Sequence, residues 1–88
     1  MARKPLPSAE RPPVLVRFGL AVRQFRKLRG MTQEAFADAC GIDRSYMGGV
    51  ERGERNLALV NVARIIETLD MKPSEFFKAL DAMEEVVK

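Results

Sequence analysis

The first thirteen residues, MARKPLPSAERPP, show no hydrophobic periodicity and hold four of the five prolines. Such a segment buries too little surface to order itself, which predicts a flexible arm over 1–13 ahead of a domain over 14–88. From Val14 the pattern turns helical. Phe18, Ala21, Val22, Phe25 and Leu28 form one apolar stripe, and Gly30 ends it where a left-handed residue is wanted. Thr32 then caps a two-turn helix, Gln33 to Cys40, closed by Gly41. Asp43 caps a third helix, Arg44 to Arg52, that stops at Gly53. A fourth runs from Leu59 to Leu69 with Leu59, Val62, Ile65, Ile66 and Leu69 on its apolar side. Pro73 opens a fifth over 73–88, with Glu75 near its positive end. No strand-like alternation of useful length interrupts this series, so the expected class is all-α with five helices.

A short helix, a glycine-containing turn and a second short helix describe a helix-turn-helix at the second and third helices. The unit has specific physical demands. Its helices cross closely, which asks for a small residue mid-way along the first: Ala37. Its turn asks for a residue that tolerates positive φ: Gly41. Phe36, Cys40, Ile42, Met47 and Val50 supply the apolar contacts between the helices. Counted from Gln33, these seven residues fall at positions four, five, eight, nine, ten, fifteen and eighteen of twenty.

 Residues 1–30 carry eight Lys/Arg against Glu10 alone, a balance of +7, while 31–56 and 57–88 each carry −2. Ten of the fifteen basic residues are arginine, whose planar fork suits phosphate and guanine. A basic half on a small chain points to a polyanion, nucleic acid or a membrane surface, or else to a solvated face. Arg3, Lys4 and Arg11 of the arm either track a DNA backbone or keep the segment soluble.

Composition narrows the rest. The chain has 88 residues, 47% apolar and 31% charged, which suits one soluble domain. Its longest aliphatic run, Leu57 to Val60, is far shorter than the ~20 residues that span a bilayer. No apolar run follows the basic N-terminus as a secretory signal would require, so a reducing cytoplasm is the expected location. With one cysteine, Cys40, and no histidine, neither an internal disulfide nor a Cys/His metal site is available. The usual general base is missing too, and no glycine-rich phosphate loop is present. Catalysis, a cofactor, a metal and a small-molecule ligand are therefore not expected. Cys40 reads as an inert core thiol, with a redox switch as the alternative.

The strings "VRQFRKLRGMTQEAFADACGIDRSYMGGVERGERN" and "LVNVARIIETLDMKPSEFF" resemble the Cro and lambda-repressor-like (XRE) helix-turn-helix regulators over about residues 17–77. Within that family the chain looks most like the controller proteins of restriction–modification systems, which share Asp-Arg-x-Tyr-x-x-Gly-x-Glu-Arg followed by Arg-Asn. The resemblance implies a transcriptional regulator whose partner is double-stranded DNA. Small phage repressors and antitoxins, which cover a toxin with a terminal helix, are alternative relatives. Three positions depart from the family pattern: Gly48 where serine is common, Asp70 where glycine usually follows the fourth helix, and Lys72 where serine would cap the fifth. The last predicts a frayed helix start.

On DNA, the third helix should enter the major groove with its N-terminal residues at the base edges. This directs Arg44, Ser45 and Gly48/Gly49 toward DNA. Arg44 either bonds guanine O6 and N7 together or contacts a phosphate. Ser45 bonds a base or a phosphate. Tyr46 contacts DNA, as the resemblance implies, or covers the side of the domain. Gln33 opens its helix beside free backbone N–H groups that attract phosphate. The family role adds bracing of a base-contacting side chain. Arg52, Arg55 and Asn56 are expected in a loop facing phosphates, with base reading or a position between operators as alternatives for Arg55. Arg17 and Arg23 would flank the groove. The resemblance pairs Arg26 with Glu51 as a structural ion pair between the first and third helices. A short recognition helix reads too few base pairs alone, so a homodimer on a palindromic operator is expected. Phe77, Leu80, Met83 and Val87 supply its interface, unless that stripe folds back onto the first and fourth helices.

Overall fold

The computed structural model describes residues 5–7 and 10–83. Within them the chain forms α1 (Pro13–Leu28), α2 (Gln33–Cys40), α3 (Arg44–Glu51), α4 (Leu59–Thr68) and α5 (Pro73–Ala82), and no strand among the described residues. The helix ends follow from local chemistry. Pro13 occupies the first turn of α1, where its missing N–H leaves no hydrogen bond unmade. The Thr32 hydroxyl accepts the Ala35 N–H at 3.1 Å, and the Asp43 carboxylate accepts that of Tyr46 at 3.1 Å. Gly41 turns the chain between α2 and α3 at φ 70°.

The core gathers Val22 of α1, Phe36 of α2, Met47 and Val50 of α3, Ile65, Ile66 and Leu69 around α4, and Phe76 of α5, all fully enclosed. Phe76 anchors an aromatic cluster, its ring centroid 5.1 Å from Phe18 and 5.9 Å from Phe25. At Gly19 the backbones of α1 and α3 approach closely. A Cβ there would lie 2.4 Å from the Val50 carbonyl oxygen and 2.6 Å from that of Glu51. Only glycine lets the two backbones meet at that separation, and the crossing sets the angle at which α3 leaves the domain.

Several expectations need correction. Leu59 and Leu28, placed on apolar stripes by periodicity, are 82% and 75% exposed, the first opening α4 and the second closing α1. Leu80, assigned to a dimer interface, is 6% exposed and belongs to the monomer core. Met83 packs half-buried against that core, and Val87 lies outside the described residues. Lys72 does leave α5 without an N-terminal side-chain acceptor, yet the Glu75 carboxylate accepts the Lys72 N–H at 2.8 Å and holds the first turn from the other side. Asp70 takes the left-handed conformation that glycine would adopt, at φ 57°.

Part of the segment read as a free arm is tied down. The Leu6 N–H donates to the Glu54 carbonyl at 2.9 Å. The Arg11 guanidinium donates to the Leu6 carbonyl and to the Glu54 carboxylate, each at 3.2 Å. Arg3 and Lys4 lie outside the described residues.

Candidate nucleic-acid interface

Helix α3 turns Met47 and Val50 into the core, which leaves Arg44 and Ser45 exposed at its N-terminal end. Tyr46 is half-buried and packs against the core, with the Arg55 guanidinium carbon 5.2 Å from the centre of its ring. That distance is within the range of a cation–π contact. Ser45, Tyr46, Arg55 and Asn56 share the wall of an open concavity of about 540 Å³ between the α2–α3 turn and the start of α4.

Gly48 and Gly49 do not face outward as expected; both are buried. The Arg52 guanidinium and the Gln33 amide cover Gly48, and the Arg55 side chain covers Gly49. The glycines are seats for the residues around them, and those residues form the outer surface.

A buried carboxylate organises the inner side of this surface. Glu51 accepts two hydrogen bonds from Arg26, at 2.7 and 3.0 Å, and one from the Gln33 side-chain amide at 3.0 Å. Arg26 also donates to the Met31 carbonyl at 2.9 Å. Donating to the Glu51 carboxylate shifts Arg26 further toward its charged form, against the opposing effect of burial. Gln33 is thereby fixed at the first turn of α2, beside Arg23, Gly48 and Arg52 in a cleft of about 260 Å³. Arg23 is exposed, whereas Arg17 is half-buried with its Nε enclosed.

Beyond α3, the exposed Arg52 donates to both oxygens of Glu54, at 2.8 and 3.2 Å. The hydrogen bond from Arg52, reinforced by the charges of Arg11 and Arg55, holds the Glu54 carboxyl below its ordinary range. Cys40 is buried, and desolvation pushes its thiol up, away from the reactive thiolate. That environment favours the inert core thiol over the redox switch.

Two residues of this region, Glu54 and Asn61, go unread in the sequence, and Arg11, expected to track a DNA backbone or keep the arm soluble, pairs with the first of them. Glu54 and Arg11 meet across 43 positions, a contact no local pattern encodes. The alternation Glu51-Arg52-Gly53-Glu54-Arg55 was the available signal for Glu54. Asn61 lines the same concavity as Tyr46 and Arg55 from the first turn of α4. Its polar interruption of Leu57-Ala58-Leu59-Val60-Asn61-Val62 was the clue.

A two-helix unit with a left-handed glycine turn, packed on a further α-helical frame, defines a helix-turn-helix protein. The chain matches the helix-turn-helix family model over residues 22–76 and belongs to that family. It is 35% identical over 69 residues to the control protein C.MunI of Mycoplasma sp., covering 77% of this chain and 93% of the relative. The fold is similar to the restriction-modification controller protein C.AhdI from Aeromonas hydrophila, with a TM-score of 0.68 and 48% identity over 70% of this chain and 94% of the other. It is also similar to the controller C.Esp1396I, solved as a tetramer in complex with its natural 35 base-pair operator. That match has a TM-score of 0.76 and 31% identity, covering 81% of this chain and 93% of the other. No helix among the described residues is long and apolar enough to cross a membrane.

Proposed function

We propose that this chain is a sequence-specific transcriptional regulator that binds palindromic operator DNA as a homodimer and controls a restriction–modification operon, its own gene included. The carrying observation is the exposed N-terminal end of α3, where Arg44 and Ser45 stand beside the Tyr46–Arg55 pair. With α3 in the major groove, Arg44 reads guanine through its paired donors and Ser45 contacts an adjacent base or phosphate. Gln33, Arg23, Arg52 and Asn56 engage phosphates on either side and set the register. Arg17 adds a flanking charge from α1. Arg52 exchanges the Glu54 carboxylate for phosphate on docking.

The two α3 helices of a dimer would reach half-sites about one helical turn, ~34 Å, apart. Phe77 on α5, 40% exposed, and the half-buried Met83 are the described candidates for the contact between copies. The similarity to controller proteins supports the operon assignment, and the cytoplasm is where such a regulator would work.

The experiment is a mobility-shift titration with the DNA upstream of the gene and with a scrambled duplex of equal length. Preferential, salt-sensitive retardation of the upstream DNA is expected. Equal binding to both duplexes would refute the reading.

A further inference from the structure

Successive glycines inside a short helix sacrifice helix propensity that almost any other residue would supply. Gly49 does not need glycine's backbone freedom, because positive φ among the described glycines is confined to Gly30, Gly41 and Gly53. The reason for it lies in what rests on it. A Cβ at Gly49 would stand 3.0 Å from both Cγ and Nε of Arg55 and 3.5 Å from Cδ. The Arg55 chain therefore crosses directly over the bare α-carbon. Its guanidinium reaches the ring of Tyr46, which stands three positions before Gly49 on α3, at 5.2 Å from the centroid. Gly48 differs, since a Cβ there would meet the far ends of two side chains, Arg52 Nη1 at 3.1 Å and Gln33 Oε1 at 3.3 Å, which can step aside.

We propose that Gly49 is a specificity-determining positioning residue: it seats the Arg55 chain so that the guanidinium stays on the Tyr46 ring, and the two side chains meet duplex DNA as one preorganised unit. This deepens the DNA-binding reading and rests on it. A guanidinium already held against an aromatic face loses less freedom on docking, and its fork keeps one orientation toward the groove. A Cβ at position 49 would require the Arg55 chain to give by a few tenths of an ångström, and a larger side chain would push it farther from the ring.

The test compares Gly49→Ala, Gly49→Leu, Arg55→Ala and the double variant Gly49→Leu/Arg55→Ala. Tyr46 is the sole tyrosine and there is no tryptophan, so intrinsic emission of the DNA-free protein reports on its ring alone. Gly49→Leu and Arg55→Ala should change that emission alike, and the double variant should add nothing. Binding is then measured to a duplex selected by the wild-type protein from a randomised pool and to a scrambled duplex. Preference for the selected duplex should fall roughly tenfold in Gly49→Leu and in Arg55→Ala, the scale of a lost base contact, and no further in the double variant. Gly49→Ala should move both readouts in the same direction by less. Should Gly49→Leu fail to fold, Gly49→Ala alone and with Arg55→Ala carries the same comparison. Unchanged Tyr46 emission on substitution of Gly49 would overturn the seating, and losses that multiply in the double variant would overturn action through Arg55. If the wild-type chain selects no duplex, the DNA-binding reading falls, while the emission data still decide the seating.

Discussion

Arg26 of α1 and Glu51 of α3 meet through two hydrogen bonds, Nε to Oε2 at 2.7 Å and Nη2 to Oε1 at 3.0 Å, with both side chains buried. The pair fixes α3 on its frame, and through the third bond to Glu51 it also fixes Gln33. Arg26→Ala leaves a buried carboxylate uncompensated and should lower the unfolding free energy by about 3–5 kcal/mol. Arg26→Met combined with Glu51→Leu should be less damaging, because it removes both charges together. Urea unfolding followed by circular dichroism measures both. A loss below about 1 kcal/mol for Arg26→Ala would place the pair among exposed ion pairs of little consequence.

Arg44 and Arg23 are both exposed, yet their substitution should separate two kinds of contact. Arg44→Ala is expected to reduce discrimination between the selected and the scrambled duplex by about 1–3 kcal/mol. Arg23→Ala should weaken binding to both duplexes alike and reduce the salt slope by about 1. Fluorescence anisotropy titrations at several salt concentrations distinguish the two. An Arg44→Ala variant with uniform loss on every duplex would reassign Arg44 to the backbone.

The sequence made the helix-turn-helix legible because its requirements are local. Ala37, Gly41, Met47 and Val50 stand at spacings set by one helix crossing, and all but the exposed turn glycine are buried. Periodicity failed at Leu28 and Leu59 for a physical reason: it shows which face of a helix is apolar, not how far the neighbouring helix extends to cover it. Leu80 was misassigned in the opposite sense, since the depth of the core beneath α5 depends on how α1 and α4 converge on Phe76. The covering of Gly49 was out of reach, because it depends on where the loop after α3 returns Arg55, which helical spacing does not determine; Arg52 lies over Gly48 through the i, i+4 spacing of α3 itself.

The contact between Glu54 and the N-terminal segment should respond to acid and not to alkali. Arg52 holds the Glu54 carboxyl below the ordinary carboxylate range of about 4.3. A depressed group of this kind contributes its stabilisation above its unfolded pKa and loses it as pH falls through the lower folded value. The amide resonance of Leu6 and the side-chain resonance of Arg11 should therefore hold constant from about pH 8 to pH 5 and shift below about pH 4. Glu54→Gln should reproduce the acid spectrum at neutral pH. A transition near neutrality in the NMR titration would contradict the assignment to Glu54.

Asp70 occupies a left-handed position, φ 57°, that disfavours residues with a Cβ. Asp70→Gly should relieve that strain and raise stability by about 0.5–1 kcal/mol, a modest gain because glycine also loosens the unfolded chain. Thermal unfolding monitored by circular dichroism checks it. A lower melting temperature would mean that the aspartate side chain contributes more than its backbone costs.

Two copies of this chain are expected to present α3 to one palindromic duplex. The most direct measurement is sedimentation of the protein with its selected duplex, which reads stoichiometry and preference together. Two chains per palindrome are expected, with loss of stable binding when one half-site is scrambled. A single chain bound with undiminished affinity to an isolated half-site, or equal occupancy of unrelated DNA, would contradict it.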